Sequence, residues 1–183
     1  PWFTPPSTAL AFSLILRPTA DEIPFLSRTV GLAALSIADT IGMLGLAPQI
    51  KWPNDILADG AKLGGILIET VTAGGRHIAV IGIGLNVRLP RDIAEAVDVR
   101  AGAIENVMPH APSRNLLLAA LLNALSTMLD EFERAGFGAF AAEWESRHAH
   151  ADQVVRILAD GAQTVEGRCV GVDADGALLL DTA

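Results

Sequence analysis

ILADGAKLGGILIETVTAGGRHIAVIGI, residues 56–83, contains two turn signals, and their spacing decides the fold class. Asp59-Gly60 suits a two-residue hairpin turn, whose central residues both take positive φ. Ala73-Gly74-Gly75 supplies a second turn ahead of a further apolar run from Arg76. Strands are therefore expected over Ile56–Ala58, from Lys62 to about Thr72, and over Arg76–Ile83. Connections this short can join only antiparallel neighbours, because a parallel pair needs a crossover of about a dozen residues or more. The fold class is α+β.

Working outward, Pro48–Trp52 reads as a short strand separated from Ile56 by Pro53-Asn54-Asp55. Pro53 has no N–H for a ladder, so the Asn54 and Asp55 side chains project from an irregular segment. Leu10, Phe12, Leu14 and Leu16 alternate between Thr8 and Arg17, as in a half-buried strand. Asp21-Glu22-Ile23-Pro24 suits a helix start, and Leu26, Val30, Ala33, Ile37, Ile41 and Leu44 then recur at helical spacing as far as Gly45. Downstream, Pro90–Pro112 is a surface excursion with a short helix near Ile93–Val97. Ser113 caps a long helix through Leu117, Leu121, Leu125, Leu129 and Phe132, ended by Gly136. A second helix from Phe137 to about Arg147 turns Phe140 and Trp144 inward. After His148 the character changes to short β segments at 154–158, 164–172 and 177–181, with turns at Asp160-Gly161 and Asp173–Gly176, which suit part of a small barrel. The expected domains are 1–149 and 150–183.

A chain of 183 residues, 51% hydrophobic, can bury a substantial core. Its net charge of −8 argues against a broad phosphate-tracking surface, so no nucleic-acid partner is expected, although a local basic pocket would not show in the total. The single cysteine, Cys169, cannot form an internal disulfide, which fits a reducing, cytoplasmic setting; it reads as core filling. Val30–Ala47 is too short and too interrupted for a membrane helix. Pro1-Trp2-Phe3 opens without an initiator methionine, so something is expected upstream.

Only two of the 13 basic residues are lysines, Lys51 and Lys62. An ammonium is a compact point charge that fits a narrow anion site, where a guanidinium is a broad fork. Gly64-Gly65 directly follows Lys62-Leu63 in a strand, and Gly82-Ile83-Gly84-Leu85-Asn86 repeats the device in the next one. Glycine weakens a strand, so either a ligand or another backbone comes close there, or the glycines serve twist and bulges. On the first reading, a floor of bare backbone flanked by Lys62, Asn54 and Asp55 accepts a flat or elongated ligand with an anionic group. No G-x-G-x-x-G, P-loop or G-x-S-x-G pattern is present. His148 and His150 have no third ligand in a recognised zinc spacing. Asp173-Ala174-Asp175-Gly176 lacks the remaining ligands of a calcium loop and reads as a turn.

Lys51-Trp52-Pro53-Asn54-Asp55, then Lys62-Leu63-Gly64-Gly65-Ile66-Leu67-Ile68-Glu69 and Gly82-Ile83-Gly84-Leu85-Asn86, closely resemble the biotin protein ligases. Pro1–Pro6 resembles the segment that leaves that family's glycine- and arginine-rich biotin loop, and Gly171–Leu180 its C-terminal G-x-d-x-x-G-x-L-x-L pattern. The resemblance implies a class II aminoacyl-tRNA synthetase-like fold, a mixed, mainly antiparallel sheet backed by helices, with a small SH3-like β domain that is truncated here. It implies activation of biotin with ATP and Mg²⁺ to biotinyl-5′-AMP, then transfer to a lysine of a biotin carboxyl carrier domain. By motif, Lys62 is the catalytic lysine that contacts the biotin carboxylate and the α-phosphate. Asn54 and Asp55 are the polar pair near the phosphates, with Asp55 the candidate to position Mg²⁺. Gly65, Ile66, Gly82 and Gly84 form the biotin-pocket wall, and Asn86 lies near adenine. Lys51 takes an electrostatic or supporting role, and Trp2 packs near the nucleotide or in the core. The family's usual alanine in K-[LI]-A-G is Gly64 here. The glycine–arginine loop is expected ahead of Pro1, so normal ligation is not expected from these residues alone. A homodimer through sheet edges stays open. The alternatives are a non-catalytic biotin or biotinyl-AMP binder or scaffold, and a lipoate or octanoate transferase, against which the Lys51–Asp55 motif argues.

Overall fold

The computed structural model describes residues 5–18, 28–74, 76–90, 100–108, 110–158 and 164–182. Asp59 and Gly60 take φ of 49° and 71°, so the turn forms where the sequence indicated and joins β3 (Asp55–Ala58) to β4 (Ala61–Ala73). The next turn joins β4 to β5 (Arg76–Asn86), and a third hairpin, through Trp52-Pro53-Asn54, joins β2 (Gln49–Lys51) to β3. With β1 (Ala9–Leu16) these strands form one sheet in the order β1-β5-β4-β3-β2, every neighbouring pair antiparallel. Parallel pairing among the described residues is confined to single bridges, Ile50 with His148 and Lys62 with Ala101.

Strand alternation gives this sheet two unlike faces. Leu10, Ile56, Ile66, Ile81, Ile83 and Leu85 face a helical layer and are buried. On the other face Ala11, Ser13 and Ile15 of β1 stand opposite Gly84, Gly82 and Val80 of β5, and Leu67 of β4 is 56% exposed. The helical layer starts with α1 (Thr29–Gly42), shorter than the expected run to Gly45. The expected start at Asp21–Pro24 and the helix near Ile93–Val97 lie outside the described residues. α1 is not a one-faced helix. Leu32, Ala34, Leu35 and Ala38 are buried along with Ala33, Ile37 and Ile41, because the sheet covers one side and another helix the other. Two of its buried hydroxyls bond within the helix: Ser36 donates to the Leu32 carbonyl and Thr40 to that of Ser36.

After the short α2 (Ile104–Val107) comes the covering helix, α3 (Arg114–Ala135). The Ser113 hydroxyl accepts from the Leu116 N–H, and Gly136, at φ 69°, ends the helix as expected. Leu117, Leu121, Leu125 and Met128 form its buried face. The single helix expected from Phe137 is a 3₁₀ turn, Phe137–Ala139, followed by α4 (Ala141–Ser146), which nonetheless buries Phe140 and Trp144. The last three strands, β6 (Val154–Ile157), β7 (Val165–Val172) and β8 (Leu178–Asp181), make a separate antiparallel sheet.

His148 sits where the two sheets meet. It is buried, its ring centroid lies 4.8 Å from that of Trp144, and the Cys169 sulfur is 3.9 Å from its ring nitrogens. Burial holds its imidazole below the ordinary histidine range, with His150 pushing the same way and Glu145 opposing. Such a histidine takes up a proton more readily once unfolded. Its contribution to stability is therefore full above about pH 6.5 and is lost as pH falls through the depressed folded value. Urea midpoints should fall between about pH 7.5 and about pH 5 in the wild type, and His148→Gln should show a distinctly smaller fall.

Candidate active site

The β2–β3 hairpin pairs Lys51 with Asp55, and across the sheet Asp55 pairs with Gly65, Gly65 with Gly84, and Gly84 with Ala11. With glycine at two of these positions, the row carries little but backbone. The Asp55 carboxylate stands at its end. A Cβ built on Gly65 would meet Asp55 Oδ1 at 3.4 Å and Lys62 Cε at 3.6 Å, so both side chains border the same bare patch.

Regular alternation would put Lys62 and Gly65, three residues apart, on opposite faces. The register shifts between Ile56 and Leu57: Ile56 pairs with Gly64 but Leu57 with Lys62, which leaves Leu63 as an extra residue in β4. That bulge restores Lys62 to the face of Gly65. Its ammonium lies 2.5 Å from Asp55 Oδ1, while the Lys51 ammonium lies 3.6 Å from Oδ2. One carboxylate thus serves two lysines, and the cluster carries a net positive charge on an acidic chain.

The Lys62 backbone is braced from the far side. Its N–H donates to the Arg100 carbonyl and its carbonyl accepts from the Gly102 N–H. Asn86 Nδ2 donates to the Gly102 carbonyl at 3.0 Å, with the Lys62 carbonyl at 3.5 Å. The Asn54 amide donates to the Ile66 carbonyl, and the Asn54 carbonyl accepts from the Ile66 N–H, which staples the β2–β3 turn to β4.

The glycines differ in what they make room for. A Cβ on Gly64 would lie 2.5 Å from the Gly84 carbonyl oxygen, so this residue is small because another backbone approaches. Gly65 instead clears the floor beside Asp55 and Lys62. A Cβ on Gly82 would make only ordinary contacts with Leu67, so its glycine leaves room beside that side chain. Ile66 was expected in the pocket wall. Its side chain is only 3% exposed and belongs to the core, so what it gives this face is backbone bonded to Asn54. Leu67, two residues on from Gly65, shares the glycine face, and Ile66 and Leu67 both line the cleft beside the β2–β3 turn. Trp2 lies outside the described residues.

A cleft of about 630 Å³ lies between the β2–β3 turn, β4 and the start of α1, lined by Trp52, Asn54, Ile66, Ile68, Phe137 and Gly176 among others; Lys51, Asp55, Lys62, Gly65 and Gly84 do not line it. The arrangement can hold an anionic group against two ammonium ions, with a flat apolar body lying along the glycines and Leu67. Among the described residues no group of three or more His, Cys, Asp or Glu could hold a metal. Both Asp55 oxygens face lysines, so a Mg²⁺ ion there would be carried largely by substrate phosphates and water, and not by a protein-only cage.

Residues 1–86 match the biotin/lipoate A/B protein ligase family, and residues 150–183 match the biotin protein ligase C-terminal domain. The chain is 35% identical over 158 residues to a biotin–[acetyl-CoA-carboxylase] ligase of Mycobacterium tuberculosis, covering 86% of this chain and 56% of that protein. It thus spans little more than half the length of that relative. A biotin–[acetyl-CoA-carboxylase] ligase of Paracoccus denitrificans is 31% identical over 182 residues, which cover 96% of this chain and 75% of that one. Among solved structures, biotin protein ligase from Aquifex aeolicus superposes with a TM-score of 0.83 at 26% identity, over 96% of this chain and 75% of that one. Its complex with biotin and ATP gives 0.80 at 25% identity, over 94% and 71%. A shared fold, matches at both ends and the identity to the Paracoccus ligase over most of its length converge: the chain belongs to the biotin protein ligase family.

Proposed function

We propose that this chain carries the catalytic face of an ATP-dependent biotin protein ligase. The reaction joins biotin to AMP, with release of pyrophosphate, and then passes biotin to a lysine of a carboxylase's biotin carboxyl carrier domain. The observation that carries this reading is the Lys62–Asp55 pair standing over the bare row of Gly65 and Gly84. In the first step a biotin carboxylate oxygen attacks the α-phosphorus of ATP and the bond to pyrophosphate breaks. Two anionic groups must meet, and Lys62 lowers their repulsion while holding them in line. Lys51, on the other carboxylate oxygen, keeps Asp55 oriented toward Lys62. Gly65, Gly82, Gly84 and Leu67 accept the apolar part of biotin, and Asn54 and Asn86 hold the backbone that frames the phosphates and adenine.

Asp55 is the residue that would hold Mg²⁺. When bound, the ion neutralises charge on the departing pyrophosphate. In this reading residues 1–149 form the ligase half and 150–183 the C-terminal β unit, the protein works in the cytoplasm, and a homodimer through sheet edges is the expected assembly. Among the described residues no helix is long and apolar enough to cross a membrane. A biotinyl-AMP binder without turnover is the alternative that the same pair leaves open, because Lys62 is already held by Asp55.

Full-length protein should release pyrophosphate only when biotin and ATP are both supplied. Lys62→Ala should lower kcat about 10²–10³-fold, as loss of one preorganised charge-stabilising donor does. Unchanged turnover in the variant would remove Lys62 from the mechanism, and tight calorimetric binding of biotinyl-AMP without any wild-type turnover would favour the binder. The two adjacent glycines separate site from scaffold. Gly65→Val should weaken biotinyl-AMP binding by at least about tenfold, whereas Gly64→Ala should chiefly cost stability, about 1–3 kcal/mol by denaturant melt, because its methyl meets the Gly84 carbonyl.

A further inference from the structure

The Asp173–Gly176 turn between β7 and β8 holds no metal-binding pattern, yet it is tightly built. Asp173 Oδ1 accepts from the Asp175 and Ala177 N–H groups, and the Asp173 carbonyl accepts from the Gly176 N–H. Gly176 takes φ 78°, a conformation glycine adopts freely. A turn locked by its own bonds can present its outer atoms at fixed positions.

Those outer atoms meet the other half of the molecule. The Gly176 carbonyl accepts from the Trp52 indole N–H at 3.2 Å, Asp175 pairs with Arg28 beside the start of α1, and Phe137 packs over Gly176. Immediately before the turn, the Val172 N–H donates to Glu145 of α4. Trp52 belongs to the three-residue turn between Lys51 and Asp55, and Asn54 in that turn is stapled to Ile66. The path from the C-terminal sheet to the Asp55–Lys62 pair is therefore short and made of directional bonds.

We propose that Trp52 is a positioning residue through which the β7–β8 turn of the C-terminal sheet acts on the active site. The indole–Gly176 bond holds the β2–β3 turn in the one arrangement that puts Asn54 against Ile66 and the Asp55 carboxylate between Lys51 and Lys62. Trp52 touches no reacting atom. Its consequence for turnover rests on the ligase reading above, but the coupling itself does not.

Two variants test it. Trp52→Phe keeps most of the ring and removes the N–H, and Asp173→Ala loosens the distant turn while leaving Trp52 and the catalytic face untouched. In ¹H–¹⁵N spectra of this chain, both should move the amide signals of Asn54, Asp55 and Lys62, while those of Leu121 and Leu125 in α3 stay in place. In full-length enzyme, kcat for pyrophosphate release should fall about 2- to 10-fold in each, the worth of one hydrogen bond, with KM for biotin unchanged. A merely structural bond would lower the melting temperature without that split. Unmoved Asn54, Asp55 and Lys62 amides in both variants would overturn the proposal. If Trp52→Phe fails to fold, the Asp173→Ala spectrum decides alone. Wild-type protein without turnover would sink the ligase reading while leaving the amide shifts to judge the coupling.

Discussion

The position of Lys62 depends on one extra residue in a strand. Without the bulge at Leu63, β4 would present Lys62 and Gly65 to opposite faces, and the ammonium would point away from the floor that the glycines clear. With it, Lys62, Asp55, Gly65 and Gly84 share one face and a carboxylate lies between two lysines. The Asp55–Lys62 pair adds little stability. Lys62 remains 34% exposed, and partly solvated ion pairs contribute on the order of 1 kcal/mol or less. What the pair supplies is position: a cation held in place over a bare surface, with its counter-charge on the neighbouring strand.

That position is affordable because the opposite face of the sheet is heavily packed. Ile56, Ile66, Ile81, Ile83 and Leu85 share one core with α1, and α3 closes over α1, so burial on one face holds the strands that leave the other face open. The unfavourable features are confined to that open face: glycines within strands, an exposed Leu67, and two cations beside each other. Strand glycines cost conformational entropy, and Gly64 also serves the scaffold by letting the Gly84 carbonyl come close. One pair of adjacent glycines thus belongs half to the site and half to the fold.

The C-terminal sheet is joined to this arrangement by few but specific contacts. His148, tilted against Trp144 and beside Cys169, fills the apolar part of the junction, and the Trp52–Gly176 bond and the Arg28–Asp175 pair make its polar part. Contacts of this kind fix direction more than they add energy, because each hydrogen bond replaces one to water. The KWPND segment therefore faces both ways. Asp55 and Lys51 turn to the glycine face, and Trp52 turns to the C-terminal turn.

Local sequence carried a large part of this molecule. The Asp59-Gly60 and Ala73–Gly75 turns, the alternation in β1, the Ser113 cap and the Gly136 stop all depend on neighbours within a few residues, and such short-range rules do not need the rest of the chain. The grouping of Lys62, Asp55 and the glycines was legible for a related reason, since a lysine among arginines and a glycine within a strand are both unusual enough to need a cause. Tertiary structure decided what depends on partners distant along the chain. The two-sided burial of α1 comes from α3, which lies about 80 residues on, beyond the reach of a periodicity argument. The bulge at Leu63 is a mismatch between two strands, so β4 alone could not disclose it. For the same reason alternation was needed, not motif order, to place Leu67 on the glycine face and Ile66 on the core face. Residue types and local turns were set by the sequence read alone; which face each side chain serves was decided by register, a property of strand pairs.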